Sequence, residues 1–298
     1  MSGQAQAAIL GSPSRARRRR RTAKLAVRLV SYLVVTAGAA VLLVPFFWMV
    51  SSSLKELKDV FAYPPAWLPI PPQWHNYLDA WRAVPFGRYL ANTIFVTVLG
   101  MFAELTSCTL VAYGFARYSF PGRNALFFIL LSTMMLPYHV TLIPTYMIWR
   151  NLGLLNTFDP LVLPAWTAWG PFYVFLLRQF FLGIPRDLEE AARIDGANVL
   201  QTFGHVMLPQ IKPAILAVAV FAFRGYWNNF LGPLIYLNDM GKYTLTLGMY
   251  LFMGGVNEAP QWHWLMAMST VLALPMLVTF FLAQRYFIEG ISLTGLKG

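Results

Sequence analysis

Six long apolar stretches follow one another along the chain, separated by segments that carry most of the charged residues. Each stretch has roughly the twenty apolar residues that a helix needs to cross the ~30 Å hydrocarbon core of a bilayer. The stretches are Leu29–Val50, Leu90–Tyr113, Ala125–Trp149, Leu161–Leu182, Ile211–Tyr236 and Trp264–Phe287. The pattern therefore predicts an all-α polytopic membrane protein with six transmembrane helices.

The composition of the chain agrees with this prediction. Of its 298 residues, 57% are hydrophobic and 12% are charged, whereas soluble domains have about 25% charged residues. So little polar surface cannot cover so much apolar surface in water, which excludes a soluble globular fold. The same apolar content excludes a disordered chain.

The net charge of +11 is concentrated at the start of the chain. Residues 1–28 carry eight of the 23 Lys and Arg residues and no acid. Because this run directly precedes an apolar stretch, we interpret it as a basic cytoplasmic tail that sets the membrane orientation, not as a nucleic-acid arm. The positive-inside rule then places both termini and the loop 183–210 in the cytoplasm, and the loop 51–88 on the opposite, periplasmic side. Residues 29–298 would form one membrane domain.

The inner loop 183–210 has the sequence pattern of two short helices joined at a glycine. Asp187 and Glu190 are spaced as a capping box, and Gly196 can adopt the positive φ that stops a helix. A second helix is predicted from Asn198 to Met207, ended by Pro209. The first helix has an apolar side, which leaves its polar side to face water or a partner. The apolar side holds Leu188, Ala191, Ala192 and Ile194, and the polar side holds Glu189, Arg193 and Asp195.

This loop resembles the EAA motif of permease subunits from binding-protein-dependent ABC importers. That motif reads Glu-Ala-Ala, three residues, Gly, nine residues, Ile-x-Leu-Pro. The matching positions are Glu190-Ala191-Ala192, Gly196 and Val206-x-Leu208-Pro209, with Val in place of Ile. The segments SSSLK, AYGFARYSFPGR, WNNFLGPL and the final GLKG also resemble the second permease of the maltose type. The resemblance covers about residues 29 to 298 and implies a type I ABC importer permease fold.

The resemblance also implies partners and roles. The motif helix would be a coupling helix that docks on a dimeric cytoplasmic ATPase, and the bundle would alternate between inward-open and outward-open states. The chain has no Gly-x-x-x-x-Gly-Lys-Ser/Thr sequence of its own, so ATP and Mg would bind the ATPase and no cofactor would bind this chain. A second homologous permease and an extracytoplasmic sugar-binding protein are also implied, in a bacterial or archaeal inner membrane. The residues assigned to coupling are Asp187, Glu189, Glu190, Ala191, Ala192, Arg193, Asp195, Gly196, Leu208 and Pro209.

Two ionisable residues, Glu104 and Arg224, fall inside predicted spans, where a charge near the helix centre costs roughly 2.5–3.5 kcal/mol. They could pair with each other, or both could line the substrate path, or Arg224 could meet the second permease or reach a water-filled cavity. Trp227, Asn228 and Asn229 suit sugar contact through a ring face and amides, and equally suit hydrogen bonds between helices.

Other functions are less well supported by the sequence. The four histidines are scattered without metal-ligand spacing, and no catalytic motif of a hydrolase is present. A stand-alone secondary transporter or channel would act without an ATPase, but no internal repeat of the kind such transporters have is evident. An ABC permease for a solute other than a sugar would share the EAA loop. The identity of the sugar stays open.

Overall fold

The computed structural model describes residues 15–254 and 259–295, and the side chains within residues 24–254 and 259–284. In these ranges the chain forms α-helices and short 3-10 or π segments, and no strand. The α-helices are α1 (Arg15–Ser53), α2 (Leu57–Val60), α3 (His75–Ala83), α4 (Phe86–Arg117), α5 (Arg123–Ser132), α6 (Tyr138–Asn151), α7 (Asp159–Val162), α8 (Pro171–Leu182), α9 (Asp187–Ile194), α10 (Val199–Gln201), α11 (Leu208–Gln210), α12 (Lys212–Trp227), α13 (Leu231–Tyr236), α14 (Leu245–Tyr250) and α15 (Trp262–Gly295).

Four helical segments of the described residues are long and apolar enough to cross a membrane. They are Lys24–Ser53, Phe86–Arg117, Asp159–Leu182 and Trp262–Gln284. Two further segments pass the same test as bent pairs: Arg123–Met135 with Tyr138–Asn151, at 102°, and Val199–Gln210 with Lys212–Trp227, at 80°. Counted as one span each, the bent pairs give six spans, as many as the sequence predicts, although Val199–Gln210 belongs to the predicted inner loop.

Three of the six predicted spans are broken where the sequence pattern suggested one continuous helix. The third breaks before Pro137, because a residue that precedes proline avoids the helical region and Leu136 is extended. The fourth contains a 3-10 segment, Leu163–Thr167, followed by Ala168 at φ +54°. The fifth ends at Trp227, and the residues up to Tyr236 form the separate helix α13.

Helix α4 lies at the centre of the bundle and contacts α8 and α12 along much of its length. Close approach depends on glycine. A Cβ atom on Gly100 would lie 2.5 Å from the ring of Tyr226 on α12, and one on Gly248 of α14 would collide with the ring of Tyr89 on α4. At the end of the bundle that carries loop 183–210, termed the inner end, a cluster of buried residues joins α4, α8 and α12. It includes Cys108, Ala112, Val174, Leu177, Phe181, Met207, Ile211, Ala214 and Val218.

The predicted outer loop, which contains α2 and α3, is anchored by a buried stretch at the end of α1. Residues Ser51 to Lys55 are all buried. The side-chain amide of Asn76 on α3 donates to the carbonyl oxygens of Ser53 (2.9 Å) and Lys55 (2.8 Å). The Lys55 ammonium lies 3.8 Å from the centre of the Trp48 ring, and burial lowers the pKa of this group. The loop is therefore a folded cap on the bundle.

Helix α1 differs from the other spans, because every described side chain from Lys24 to Phe47 is exposed in the chain. Burial begins at Trp48, and α1 also contacts α15. The exposed surface is almost wholly apolar, so lipid is its natural environment. The first 14 residues of the predicted basic tail lie outside the described residues.

The close contact at Gly100 leads to a stability prediction. We expect Gly100→Ala to lower the melting temperature of the purified protein in detergent, because overpacking against Tyr226 costs about 1–3 kcal/mol and exceeds the gain of up to about 1 kcal/mol from replacing a helical glycine. Gly114→Ala on the same helix is the control, since nothing lies within 4 Å of its Cβ position. Equal melting temperatures for the two variants would contradict the prediction.

Candidate functional site

The first helix of the inner loop, α9, follows α8 after a four-residue connection and begins with an acidic turn. Asp187, Glu189 and Glu190 all lie in this turn, where negative charge is stabilised by the helix dipole. The predicted capping box at Asp187 and Glu190 is wrong. The residue before the helix is Arg186, which has helical backbone angles, and no side chain caps the helix.

Helix α9 ends in a turn that has all the features of a glycine C-cap. Gly196 has φ +82°, which residues other than glycine adopt only with strain. The N–H of Gly196 donates to the carbonyl of Arg193 (3.0 Å), and the N–H of Ala197 donates to that of Ala192 (2.9 Å). These are the two hydrogen bonds of a Schellman motif. The helix stop predicted at Gly196 is therefore confirmed.

A capping box is present eleven residues later than predicted, at the start of the second helical segment. The Asn198 side chain accepts from the N–H of Gln201, and the Gln201 side chain accepts from the N–H of Asn198, both at 2.9 Å. Helix α10 then runs through a π-helix, Thr202–Met207, into α11. Pro209 does not end this run, because the helix continues to Gln210, and the 80° bend follows at Ile211.

Loop 183–210 thus has a buried base and an exposed tip. Met207 and Ile211 are fully buried at the base. At the tip, Ile194 is 85% exposed and Leu200 is 75% exposed. An open cleft of about 340 Å³ lies between the two helical segments, lined by Asp195, Gly196, Ala197, Gln201, His205 and Val206. Large exposed apolar side chains on an otherwise polar loop indicate a surface for a partner protein.

The ten residues assigned to coupling do not all lie on this exposed surface. Asp187, Glu190, Ala191, Arg193, Asp195, Gly196 and Pro209 are exposed, and Leu208 is half-buried. Of the predicted apolar side of the helix only Ala192 is buried, whereas Leu188, Ala191 and Ile194 are exposed. Glu189 was expected on the polar, exposed side, and this expectation is wrong. Its carboxylate is buried because it forms an ion pair with Arg117, the last residue of α4.

Sequence reasoning missed Arg117. The distance between Arg117 Nε and Glu189 Oε1 is 2.8 Å, and Arg117 Nη2 donates to the carbonyl of Ile184 at 2.8 Å. A local signal existed, since Arg117 is a basic residue at the inner end of a span. Its partner could not be found from the sequence because the contact depends on how α9 folds back against α4.

The residues proposed for a substrate path separate into two groups. Arg224 is exposed on α12, and Asn228, the residue after this helix, is exposed although its amide donates to the carbonyl of Arg224 (3.1 Å) and to the Met276 sulfur (3.5 Å). Three others are buried or half-buried: Trp227 donates to the carbonyl of Leu272 (3.1 Å), Asn229 accepts from the N–H of Gly232 (3.1 Å), and Glu104 accepts from the Tyr226 hydroxyl (2.9 Å). The side chains of these three residues therefore serve packing within the chain.

Glu104 and Arg224 do not pair in this structure. Besides Tyr226, the Glu104 carboxylate accepts from the Cys108 thiol at 3.5 Å. Among the residues whose side chains are described, the ion pairs are Lys58 with Glu56, His75 with Asp79 and Arg117 with Glu189. In the same residues, no group of three or more His, Cys, Asp or Glu side chains could hold a metal ion.

Several known proteins are similar to this chain in sequence or in fold. Residues 108–292 match the family described as "Binding-protein-dependent transport system inner membrane component". The diacetylchitobiose uptake system permease protein NgcG of Streptomyces coelicolor is 32% identical over 265 residues, which cover 88% of this chain and 87% of that protein. The sn-glycerol-3-phosphate transport system permease protein UgpE of Yersinia pestis is 30% identical over 266 residues, with coverage of 87% and 94%.

Two further comparisons agree. The arabinooligosaccharides transport system permease protein AraQ of Halalkalibacterium halodurans is 33% identical over 213 residues, which cover 72% of this chain and 75% of that protein. One chain of the crystal structure of a bacterial ABC transporter involved in the import of the acidic polysaccharide alginate superimposes with a TM-score of 0.79 at 25% identity. This match covers 89% of this chain and 98% of that chain.

The helices and their order are those of a type I ABC importer permease. The chain belongs to the family of binding-protein-dependent transport system inner membrane components. It is therefore a membrane-embedded transport subunit and not an enzyme.

The positive φ of Gly196 leads to a prediction about the stiffness of the loop. We expect Gly196→Ala to speed amide hydrogen exchange in residues 190–200, because an L residue in this conformation costs roughly 1–2 kcal/mol. Gly204→Ala is the control, since Gly204 lies in the π-helix with nothing within 4 Å of its Cβ position. Exchange that is equally slow in both variants would show that the turn does not depend on glycine.

Proposed function

We propose that this chain is the transmembrane permease subunit of an ATP-driven importer for a sugar or sugar-like solute, and that its inner loop receives the motion of a separate ATPase. The observation that carries the proposal is the form of loop 183–210. Its tip is exposed and apolar, its turn is fixed by a Schellman motif, and its base is buried between α4, α8 and α12. A loop built in this way can bind a partner and transmit displacement without absorbing it.

The docking surface consists of the exposed residues at the tip of the loop. It combines Glu190 and Arg193 with the apolar side chain of Ile194, next to the cleft at Gly196. Apolar anchors surrounded by charged residues are the usual arrangement of a protein interface. The partner is a dimeric cytoplasmic ATPase that binds ATP and Mg, and this chain binds no cofactor.

A second homologous permease is the partner within the membrane. Arg224 supports this proposal, because it is exposed on α12 within a span. A charge that faced lipid there would be costly, so it faces a water-filled cavity or another protein chain. Asn228, the residue that follows the end of this helix, is also exposed. Together these two residues would line the path between the permeases, with lipid around the remaining apolar surface.

The solute class follows from the relatives. Their names include diacetylchitobiose, arabinooligosaccharides and sn-glycerol-3-phosphate, all carbohydrates or small polyol derivatives. An extracytoplasmic sugar-binding protein would deliver the solute to the outer loops 51–88 and 238–261, of which residues 255–258 lie outside the described residues. Both termini would lie in the cytoplasm of a bacterial or archaeal cell, with the basic tail 1–28 held at the inner membrane surface.

The docking proposal predicts the effect of charge at the tip. Ile194→Asp and Glu190→Lys should each reduce co-purification of this chain with the ATPase about tenfold, because loss of one interface anchor costs about 1–2 kcal/mol. Lys58→Glu is the control for charge reversal, since Lys58 is exposed on the predicted outer loop. Wild-type co-purification of both tip variants would contradict the docking surface.

The transport proposal predicts that no uptake occurs with this chain alone in proteoliposomes. Uptake should require the second permease, the ATPase, ATP and the loaded binding protein. Gradient-driven uptake by the single chain would support a secondary transporter instead.

The path proposal predicts a separate phenotype for Arg224. Arg224→Gln should lower solute uptake several-fold while ATPase co-purification stays unchanged, because the residue is on α12, far along the span from the inner loop. Lys212→Gln, an exposed change at the start of the same helix, should leave uptake near the wild-type rate. A normal rate of solute uptake by Arg224→Gln would show that Arg224 does not line the path.

A further inference from the structure

The ion pair between Arg117 and Glu189 is unusual because both side chains are withdrawn from water. The Arg117 side chain is 4% exposed and that of Glu189 is 10% exposed. Burying two charges costs several kcal/mol each in desolvation, and this cost is repaid only when geometry is good. Arg117 Nε and Glu189 Oε1 lie 2.8 Å apart, but neither atom has a hydrogen-bond partner, so the two charges compensate each other as a close ion pair without hydrogen-bond geometry. Glu189 is therefore not free to bind another protein while this pair is formed.

A single guanidinium holds the inner loop at two points. Arg117 contacts Glu189 through Nε and the Ile184 carbonyl through Nη2. Ile184 lies just before α9 and Glu189 lies in its first turn. Because the guanidinium is a rigid plane, its hydrogen bond to Ile184 and its charge contact with Glu189 together hold the start of α9 against the end of α4.

Aromatic rings next to this pair join α4 to α8 and to the π-helix of the inner loop. The ring of Tyr113 on α4 lies 5.3 Å from that of Phe181 on α8 and 4.9 Å from that of Phe203 in the π-helix, measured between centroids. Apolar side chains that only pack against each other could slide past one another when force is applied. The ion pair adds a contact that has one defined register, since moving either charge away leaves the other buried and uncompensated.

Helix α4 can carry a displacement across the whole membrane. It has 32 residues without an internal proline, which corresponds to roughly 48 Å at 1.5 Å per residue. Gly100 and Glu104, near its middle, contact Tyr226 of α12. The two helices next to the inner loop in the chain, α8 and α12, each follow a break, at Ala168 and at Ile211.

We propose that Arg117 is a positioning residue that makes the coupling helix α9 and the long helix α4 move as one body. Force from the ATPase then enters the bundle through α4 as well as through the connections of the loop to α8 and α12. This inference rests on the proposed function, because it assumes that an ATPase docks on the tip of the loop.

The test uses the complete importer in proteoliposomes: both permeases, the ATPase and the binding protein. The variants are Arg117→Gln, Glu189→Gln, Arg117→Lys and the exchange Arg117→Glu with Glu189→Arg. Arg150→Gln, an exposed change at the predicted outer end of α6, is the matched control. The measurements are co-purification with the ATPase, ATP hydrolysis with and without loaded binding protein, and solute taken up per ATP.

The two neutralising variants should keep ATPase co-purification and lose about tenfold in uptake per ATP, a factor typical of coupling between sites. Uptake per ATP by Arg117→Lys should lie between the values for these variants and the wild type, because lysine keeps the charge but lacks the planar guanidinium. The exchange variant should recover part of the loss, which also shows that the site still folds. Arg150→Gln should match the wild type.

Three results would overturn the inference. The first is normal uptake per ATP in both neutralising variants, and the second is an exchange variant that couples no better than the neutralising variants. The third is loss of ATPase co-purification in the neutralising variants, which would make Glu189 a docking residue. Failure of the proposed function is distinct, since the wild-type complex would then itself show no ATP-dependent uptake.

Discussion

The packing of α4 is the constraint on which the rest of the structure depends. All three clusters of buried residues in the described part of the chain include side chains of this helix. Cys108 and Ala112 lie in the inner cluster, Phe86 and Tyr89 in the outer one, and Val96 in the third. Because interiors are close-packed, the neighbours of α4 cannot shift independently of it.

Helix α4 is continuous, whereas several of the spans around it are broken. The bends at Pro137 and Ile211 and the interruption at Ala168 all occur in segments that would otherwise be single spans. A bundle in which α1, α4 and α15 are continuous and the other three spans are broken has its mobile positions defined in advance. Motion can occur at the breaks, where backbone hydrogen bonds are already missing, while α4 keeps its shape.

The number and approximate limits of the spans could be predicted because they depend on apolar content, which the sequence shows directly. The glycine stop at Gly196 could also be predicted, since its cause is local. The capping box was assigned to Asp187 instead of Asn198, because both sites have suitable residues and only the backbone angles distinguish them. The burial of Glu189 and of Trp227 could not be predicted, because each depends on a contact with a residue distant in sequence, Arg117 and Leu272.

Helix α1 has a consequence for how this subunit is built and held. Its side chains from Lys24 to Phe47 are all exposed in the chain, yet its last residues anchor the folded cap through Ser51 to Lys55. Its insertion is therefore governed by partition of its own apolar residues into lipid, independently of the bundle. Once inserted, α1 anchors the cap to the membrane. The bilayer thickness controls the depth of α1, and this depth in turn sets the position of the cap at the outer face.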